Sequence, residues 1–235
     1  MTANEILIEL EKYGDAQTKK TLSRHGAREP FFGVKVADLK TILKKTKKNH
    51  ELSLELYRTG NSDAMYLAGL MADEHQITES QLNDWVEKAY WYYLSDFTVP
   101  WVAAETKFGF DLGLRWIQSD KERIASAGWA TLAYYAAVNR DEELDINAYR
   151  QLLDKVVLEI HHSQNGVRLA MNAFVIAIGT YIKDLTDKAK TVAGKIGKVN
   201  VDMNGTACKV PLATEYIHKA IETDRVGKKR KTARC

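Results

Sequence analysis

From Val36 to Lys48 the chain reads VADLKTILKKTKK. Val36, Leu39, Ile42 and Leu43 recur at helical spacing and make one apolar stripe. Lys40, Lys44 and Lys47, at i, i+4 and i+7, make a second stripe on another face. A helix so patterned packs on one side and shows amines on the other. The same period recurs in Leu82, Trp85, Val86 and Ala89, and again in Leu152, Leu153, Val156, Val157 and Ile160. Helix starts carry chemical marks. Thr78-x-x-Gln81 and Ser119-x-x-Glu122 read as capping boxes, and Asn61 reads as the cap of the run ending at Met71. The segment Val167 to Ile178 is apolar almost all round, broken by Arg168 and Asn172, which predicts a central helix packed on several sides. Strands do not alternate with helices, so a parallel-sheet fold is excluded in favour of an all-α bundle or a solenoid of stacked helix pairs.

One stretch departs from the helical rule. Lys198 to Met203 alternates, Asn204-Gly205 supplies the positive φ angles of a tight turn, and Thr206 to Val210 follows. This predicts a small β-hairpin over 198–210, then a last helix from Pro211 to Glu222 with proline in its first position. Residues 1–224 read as one domain. Residues 225–235, ending GKKRKTARC, read as a disordered basic tail.

Positive charge is concentrated in two places. From Gln17 to Lys48 ten Lys or Arg face only Glu29 and Asp38, and Arg225 to Cys235 adds six more with no acid. The whole chain is only +3, so the rest is net acidic. A surface polarised in this way suits a polyanion, because each cation set against a phosphate releases condensed counterions. Cys208 and Cys235 are the only cysteines, too few for a disulfide framework, and the opening residues MTANEILIELEKYGD lack a basic and an apolar leader region. These features predict a reducing, bacterial-type cytoplasm or nucleoid, with no membrane span. Nothing in the pattern calls for a metal or an organic cofactor. His161 and His162 are adjacent and face different ways, and Gly194-x-x-Gly197-Lys198 lacks the spacing of a phosphate loop.

Phe31-Phe32-Gly33-Val34-Lys35, with the Val36–Lys44 pattern behind it, resembles a segment of the AlkD-like DNA alkylation repair family. Trp91-Tyr92-Tyr93-Leu94-Ser95-Asp96 resembles that family's aromatic-then-aspartate segment, and the likeness covers roughly residues 5–195. The resemblance implies HEAT-like repeats curved into a C, with double-stranded DNA on the basic concave face. In active members it implies glycosylases that release N3- or N7-alkylated purines. Such chemistry needs a carboxylate near an oxocarbenium-like sugar, aromatic faces for a cationic base and cations for the flanking phosphates. The resemblance gives these roles to Asp96 as the catalytic carboxylate and to Trp91 and Tyr92 as base- or sugar-sensing aromatics, and Trp129 joins the aromatics because it follows Gly128, which allows close approach to a ligand. Lys35, Lys40, Lys44, Lys47 and Arg168 are the candidates for the DNA backbone. The sequence also departs from the active pattern. Tyr92 stands where a tryptophan four residues before the aspartate is expected, the helix around Gly128–Leu132 has no arginine, and Phe174–Tyr181 has no tryptophan. Three functions follow as expectations: a glycosylase, a non-catalytic binder of branched or distorted DNA, and a protein–protein scaffold.

Overall fold

The computed structural model describes residues 1–203, 205, 206 and 208–235. Thirteen α-helices account for most of the described chain. They are α1 (Ala3–Lys12), α2 (Ala16–Arg24), α3 (Val36–Thr46), α4 (His50–Arg58), α5 (Ser62–Met71), α6 (Glu79–Lys88) and α7 (Val99–Ala104), then α8 (Gly109–Trp116), α9 (Glu122–Val138), α10 (Ile146–Glu159), α11 (Asn165–Tyr181), α12 (Thr186–Ile196) and α13 (Ala213–Glu222). A π-helical turn, Tyr93–Thr98, leads into α7. A spine runs through α3, α5, the π-turn with α7, α9, α11 and α13, each packed on the next. Helices α4, α6, α8, α10 and α12 pack on their neighbours along that spine. Two apolar clusters meet at α9, which gives Ile124 and Ala127 to one and Trp129, Leu132 and Ala136 to the other. The apolar α11 lies against α9, α10, α12 and α13, so its all-round hydrophobicity has a packing cause.

Local chemistry sets several helix starts. Thr78 and Gln81 close the predicted capping box of α6, and the Asn61 side chain accepts from Asp63 and Ala64 at the start of α5. The box expected at Ser119–Glu122 does not form. Ser119 Oγ accepts from Lys121 N at 3.2 Å, while Glu122 accepts from the backbone of Gly166 on α11. The carboxylate links two helices instead of closing its own.

The hairpin expected over 198–210 is also corrected. Asn204 and Ala207 lie outside the described residues. Among the described ones Thr206 N bonds to Met203 O at 3.1 Å, but no strand ladder flanks the turn. The segment is held by side chains instead. Asn165 exchanges two hydrogen bonds with the backbone of Asp202, and Arg168 Nη1 donates to Asn200 O at 2.9 Å. Pro211 is not the first residue of α13. Its carbonyl accepts from Asn172 Nδ2 at 2.9 Å, and the helix starts two residues later.

The basic tail is packed rather than disordered. It crosses the C-terminal ends of the spine helices, where unpaired carbonyls and the negative ends of the helix dipoles attract donors and cations. Gly227 N donates to Thr180 O of α11 at 2.9 Å, and Arg230 N donates to Ala137 O of α9 at 2.7 Å. Lys229 Nζ donates to Ala136 O at 2.8 Å and lies 2.7 Å from the Asp141 carboxylate. Ala233 is fully buried, and Arg234 reaches Glu74 and Glu105, each at 3.1 Å, as well as Ala72 O beyond α5 at 3.0 Å. Composition alone read these residues as solvated charge. The helix ends they cap are visible only in the fold. We call residues 225–235 the strap.

Candidate nucleic-acid interface

The Phe31–Lys35 motif is built around one carboxylate. Asp63, in the first turn of α5, accepts from Phe32 N at 2.6 Å, Gly33 N at 3.0 Å and Val34 N at 3.1 Å. Burial raises its pKa, and the three backbone donors oppose that rise. Gly33 has φ +80, and a Cβ there would lie 2.5 Å from Lys19 N, so only glycine lets the chain wrap this closely. Phe31 is buried, with the Lys19 ammonium 5.0 Å from its ring centre. The motif therefore fixes the start of α3 and, with it, the lysine stripe.

Four of the ten cations of the basic segment are already engaged. Lys19 pairs with Glu29 at 2.8 Å, Lys48 with Glu74 at 2.8 Å, and Lys45 with Glu9. Arg28 lies over the Tyr90 ring at 4.8 Å. Among the described residues Lys35, Lys40, Lys44 and Lys47 form no ion pair, although Lys35 is near enough to Asp15 to help hold that carboxyl below its usual range. Lys35, Lys44 and Lys47 are exposed and Lys40 is half-buried. Lys47 ends α3 with φ 59 and stands in a groove between the tip of α3 and the strap, shared with Lys48, Lys231 and Arg234. The lysine stripe and the strap thus meet at one edge of the spine.

Asp96 sits on the π-turn. The wider π geometry is held by Thr98 Oγ1 donating to Tyr93 O at 2.9 Å. Gly69 of α5 lets the turn pack close, since a Cβ there would lie 2.5 Å from Thr98 Cγ2. Asp96 as a whole residue is 9% exposed, and its carboxylate accepts from Ser95 Oγ at 2.6 Å. Burial pushes its pKa up to about 6, against the pull of the Ser95 hydroxyl and the Arg123 guanidinium. On one side it borders a cleft of about 390 Å³ between α9 and α11. Alanines of both helices, among them Ala130, Ala133, Ala170 and Ala173, form its floor, with Tyr92, Phe97 and Tyr134 around them and Arg230 of the strap at its edge. A narrower cavity of about 180 Å³, reached past Tyr92, Arg123 and His25, borders the other side. Small floor residues, aromatic walls and one carboxylate suit a flat apolar ring that carries a hydrogen-bond donor.

The expected site residues separate into those the cleft uses and those it does not. Asp96 and Tyr92 line it together. Trp91 does not, being 2% exposed, stacked on Tyr93 at 4.6 Å and bonded through Nε1 to Ser62 Oγ at 2.9 Å. Trp129 is 1% exposed and packs edge-on to Phe174 at 5.0 Å. Both tryptophans are core, because an indole with its N–H satisfied or its faces covered stabilises more inside than on a rim. Arg168 is half-buried and bonds the carbonyls of Ser163 and Asn200 at 2.8 and 2.9 Å, so part of its fork anchors the 198–203 segment. Sequence reasoning missed Phe97, Arg123 and Arg230. Phe97 is one residue from Asp96 on a turn whose π geometry shifts the helical register, and no sequence signal announced that shift.

Known proteins fit this geometry. A family model described as DNA alkylation repair enzyme matches residues 6–195. The uncharacterized protein Lmo0209 of Listeria monocytogenes serovar 1/2a is 32% identical over 226 residues, covering 94% of this chain and 97% of its own. The uncharacterized protein Lin0241 of Listeria innocua serovar 6a is 31% identical with the same coverage. A solved structure, described as a new family of proteins related to the HEAT-like repeat DNA glycosylases with affinity for branched DNA structures, is 36% identical and covers 100% of both chains with a TM-score of 0.92. The stacked helix pairs are HEAT-like repeats. No helix among the described residues is long and apolar enough to cross a membrane.

Proposed function

This chain belongs to the DNA alkylation repair family, and on that premise we propose that it binds branched or distorted double-stranded DNA along its helical spine and breaks no bond in it. Lys35, Lys40, Lys44 and Lys47 hold backbone phosphates. The cleft beside Asp96 faces the point where the duplex is opened. The observation that carries this reading is the fate of the two tryptophans. Both are buried, so neither offers a face to a cationic base, while the lysine stripe remains free of carboxylates. The full-length likeness to a protein with affinity for branched DNA points the same way.

Recognition of this kind rests on phosphates and duplex shape, so it falls steeply with salt. About five neutralised phosphates give a log–log slope near −4 to −5. Replacing Lys40, Lys44 and Lys47 together by Glu abolishes binding in a gel-shift titration. Unchanged affinity in that variant removes the proposal.

A second reading keeps the bond-breaking step. Asp96 retains some exposure at the cleft, and a carboxylate there is placed to stabilise positive charge on a sugar. On that reading, methylated duplex releases free methylpurine and Asp96→Asn abolishes the release. No release from the wild type leaves the binder.

A further inference from the structure

We propose that Arg230, carried by the strap, is a phosphate-binding residue of the DNA-binding face. Its guanidinium clamps a backbone phosphodiester next to the nucleotide that lies over the Asp96 cleft. This inference rests on the proposed function and adds a residue that composition had assigned to a disordered end.

The strap divides its cations between two tasks. Lys228 pairs with Asp224 at 2.6 Å, Lys229 with Asp141 at 2.7 Å, and Arg234 with Glu74 and Glu105 at 3.1 Å. These pairs occupy the neighbouring carboxylates and tie the strap down at several points. Arg230 is left with no carboxylate partner among the described residues. Its backbone is fixed by the bond to Ala137 O at 2.7 Å, and its Nη2 donates only to Arg234 O at 3.2 Å. The guanidinium lies 5.9 Å from the centre of the Tyr134 ring, and both residues line the cleft that Asp96 borders. A half-buried guanidinium held by its own backbone and spared a carboxylate is preorganised for an anion that presents two oxygens side by side. Phosphate matches its fork through two parallel N–H···O bonds. The charge also offsets the Asp96 carboxylate that lines the same cleft. A solvated tail would instead have contributed diffuse, interchangeable charge.

The experiment is fluorescence anisotropy of the full chain with a labelled four-way DNA junction across a salt series. It compares wild type, Arg230→Ala, Arg230→Lys and Arg150→Ala, whose exposed side chain is on α10. Arg230→Ala is expected to weaken binding about tenfold and to reduce the salt slope by about one, while Arg150→Ala changes neither. Arg230→Lys restores the slope but only part of the affinity, because a point charge lacks the fork. A lower melting temperature for Arg230→Ala with affinity and slope unchanged marks a purely structural guanidinium and overturns the proposal. Should the alanine variant fail to fold, Arg230→Gln takes its place on the same terms. Absence of junction binding by the wild type overturns both this inference and the proposed function. Binding that the Lys40, Lys44 and Lys47 reversal abolishes but Arg230→Ala leaves intact overturns the inference alone.

Discussion

Asp96→Asn is expected to stabilise the protein above pH 7 and to leave it unchanged at pH 4. An aspartate in the unfolded chain titrates near 3.8, and burial raises Asp96 to about 6 in the fold. Between those values the folded state holds a proton that the unfolded state has released. Folding is therefore favoured by this group below pH 3.8, and the contribution is lost as pH rises through 6. The gap is about two pH units at about 1.4 kcal/mol each, so the ionised carboxylate costs about 3 kcal/mol at neutral pH. Asparagine keeps the shape and removes the charge. Its carbonyl still accepts from Ser95 Oγ, and the Ser126 hydroxyl, which lies against the carboxylate and helps hold its pKa down, can turn to accept from the new amide. For a chain of this size the gain corresponds to a rise in Tm of about 6–12 °C. Urea unfolding followed by tryptophan fluorescence at pH 4, 6 and 8 measures it. A variant that equals the wild type at every pH, or that is less stable at pH 8, refutes the burial of an ionised carboxylate at this position.

Asp63→Ala leaves the backbone N–H groups of Phe32, Gly33 and Val34 without their acceptor, and a loss of about 3 kcal/mol or more is expected from the urea midpoint. Trp91→Phe loses the bond to Ser62 and about 1 kcal/mol of stability, while junction affinity measured by anisotropy stays within about twofold of wild type. Arg234→Ala leaves Glu105 without its cation and frees the strap, so the amides of Arg230 and Ala233 exchange at least about tenfold faster in hydrogen-exchange mass spectrometry while α11 stays protected.

Much of the helical architecture was legible because it rests on short-range signals. The 3.6-residue period marked α3, α6 and α10, and Thr78, Gln81 and Asn61 marked helix starts, since a cap needs only neighbours three residues apart. The Phe31–Lys35 motif was recognisable, but its reason was not. The carboxylate it wraps is about thirty residues away at Asp63, a contact that only the packed spine creates. The same limit explains the site. Asp96 and Tyr92 were readable as a local pair, yet whether Trp91 faced the cleft or the core depended on the π-turn and on Ser62 across the helix packing. The strap was the furthest from legibility. Its lysines and arginines read as disorder by composition, and the groups that order them, Glu74, Glu105, Asp141 and the carbonyls at the ends of α9 and α11, are scattered along the chain.

On the proposed function, the lysine stripe and the Asp96 cleft act together to select opened DNA. The most direct measurement is the affinity of the wild type, at about 150 mM salt, for a four-way junction and for a linear duplex with the same total base pairs. Tighter binding to the junction by at least about tenfold, with equal salt slopes for both, is the predicted result. Equal affinities would contradict the claim, because charge alone would then account for the binding and the cleft would contribute nothing.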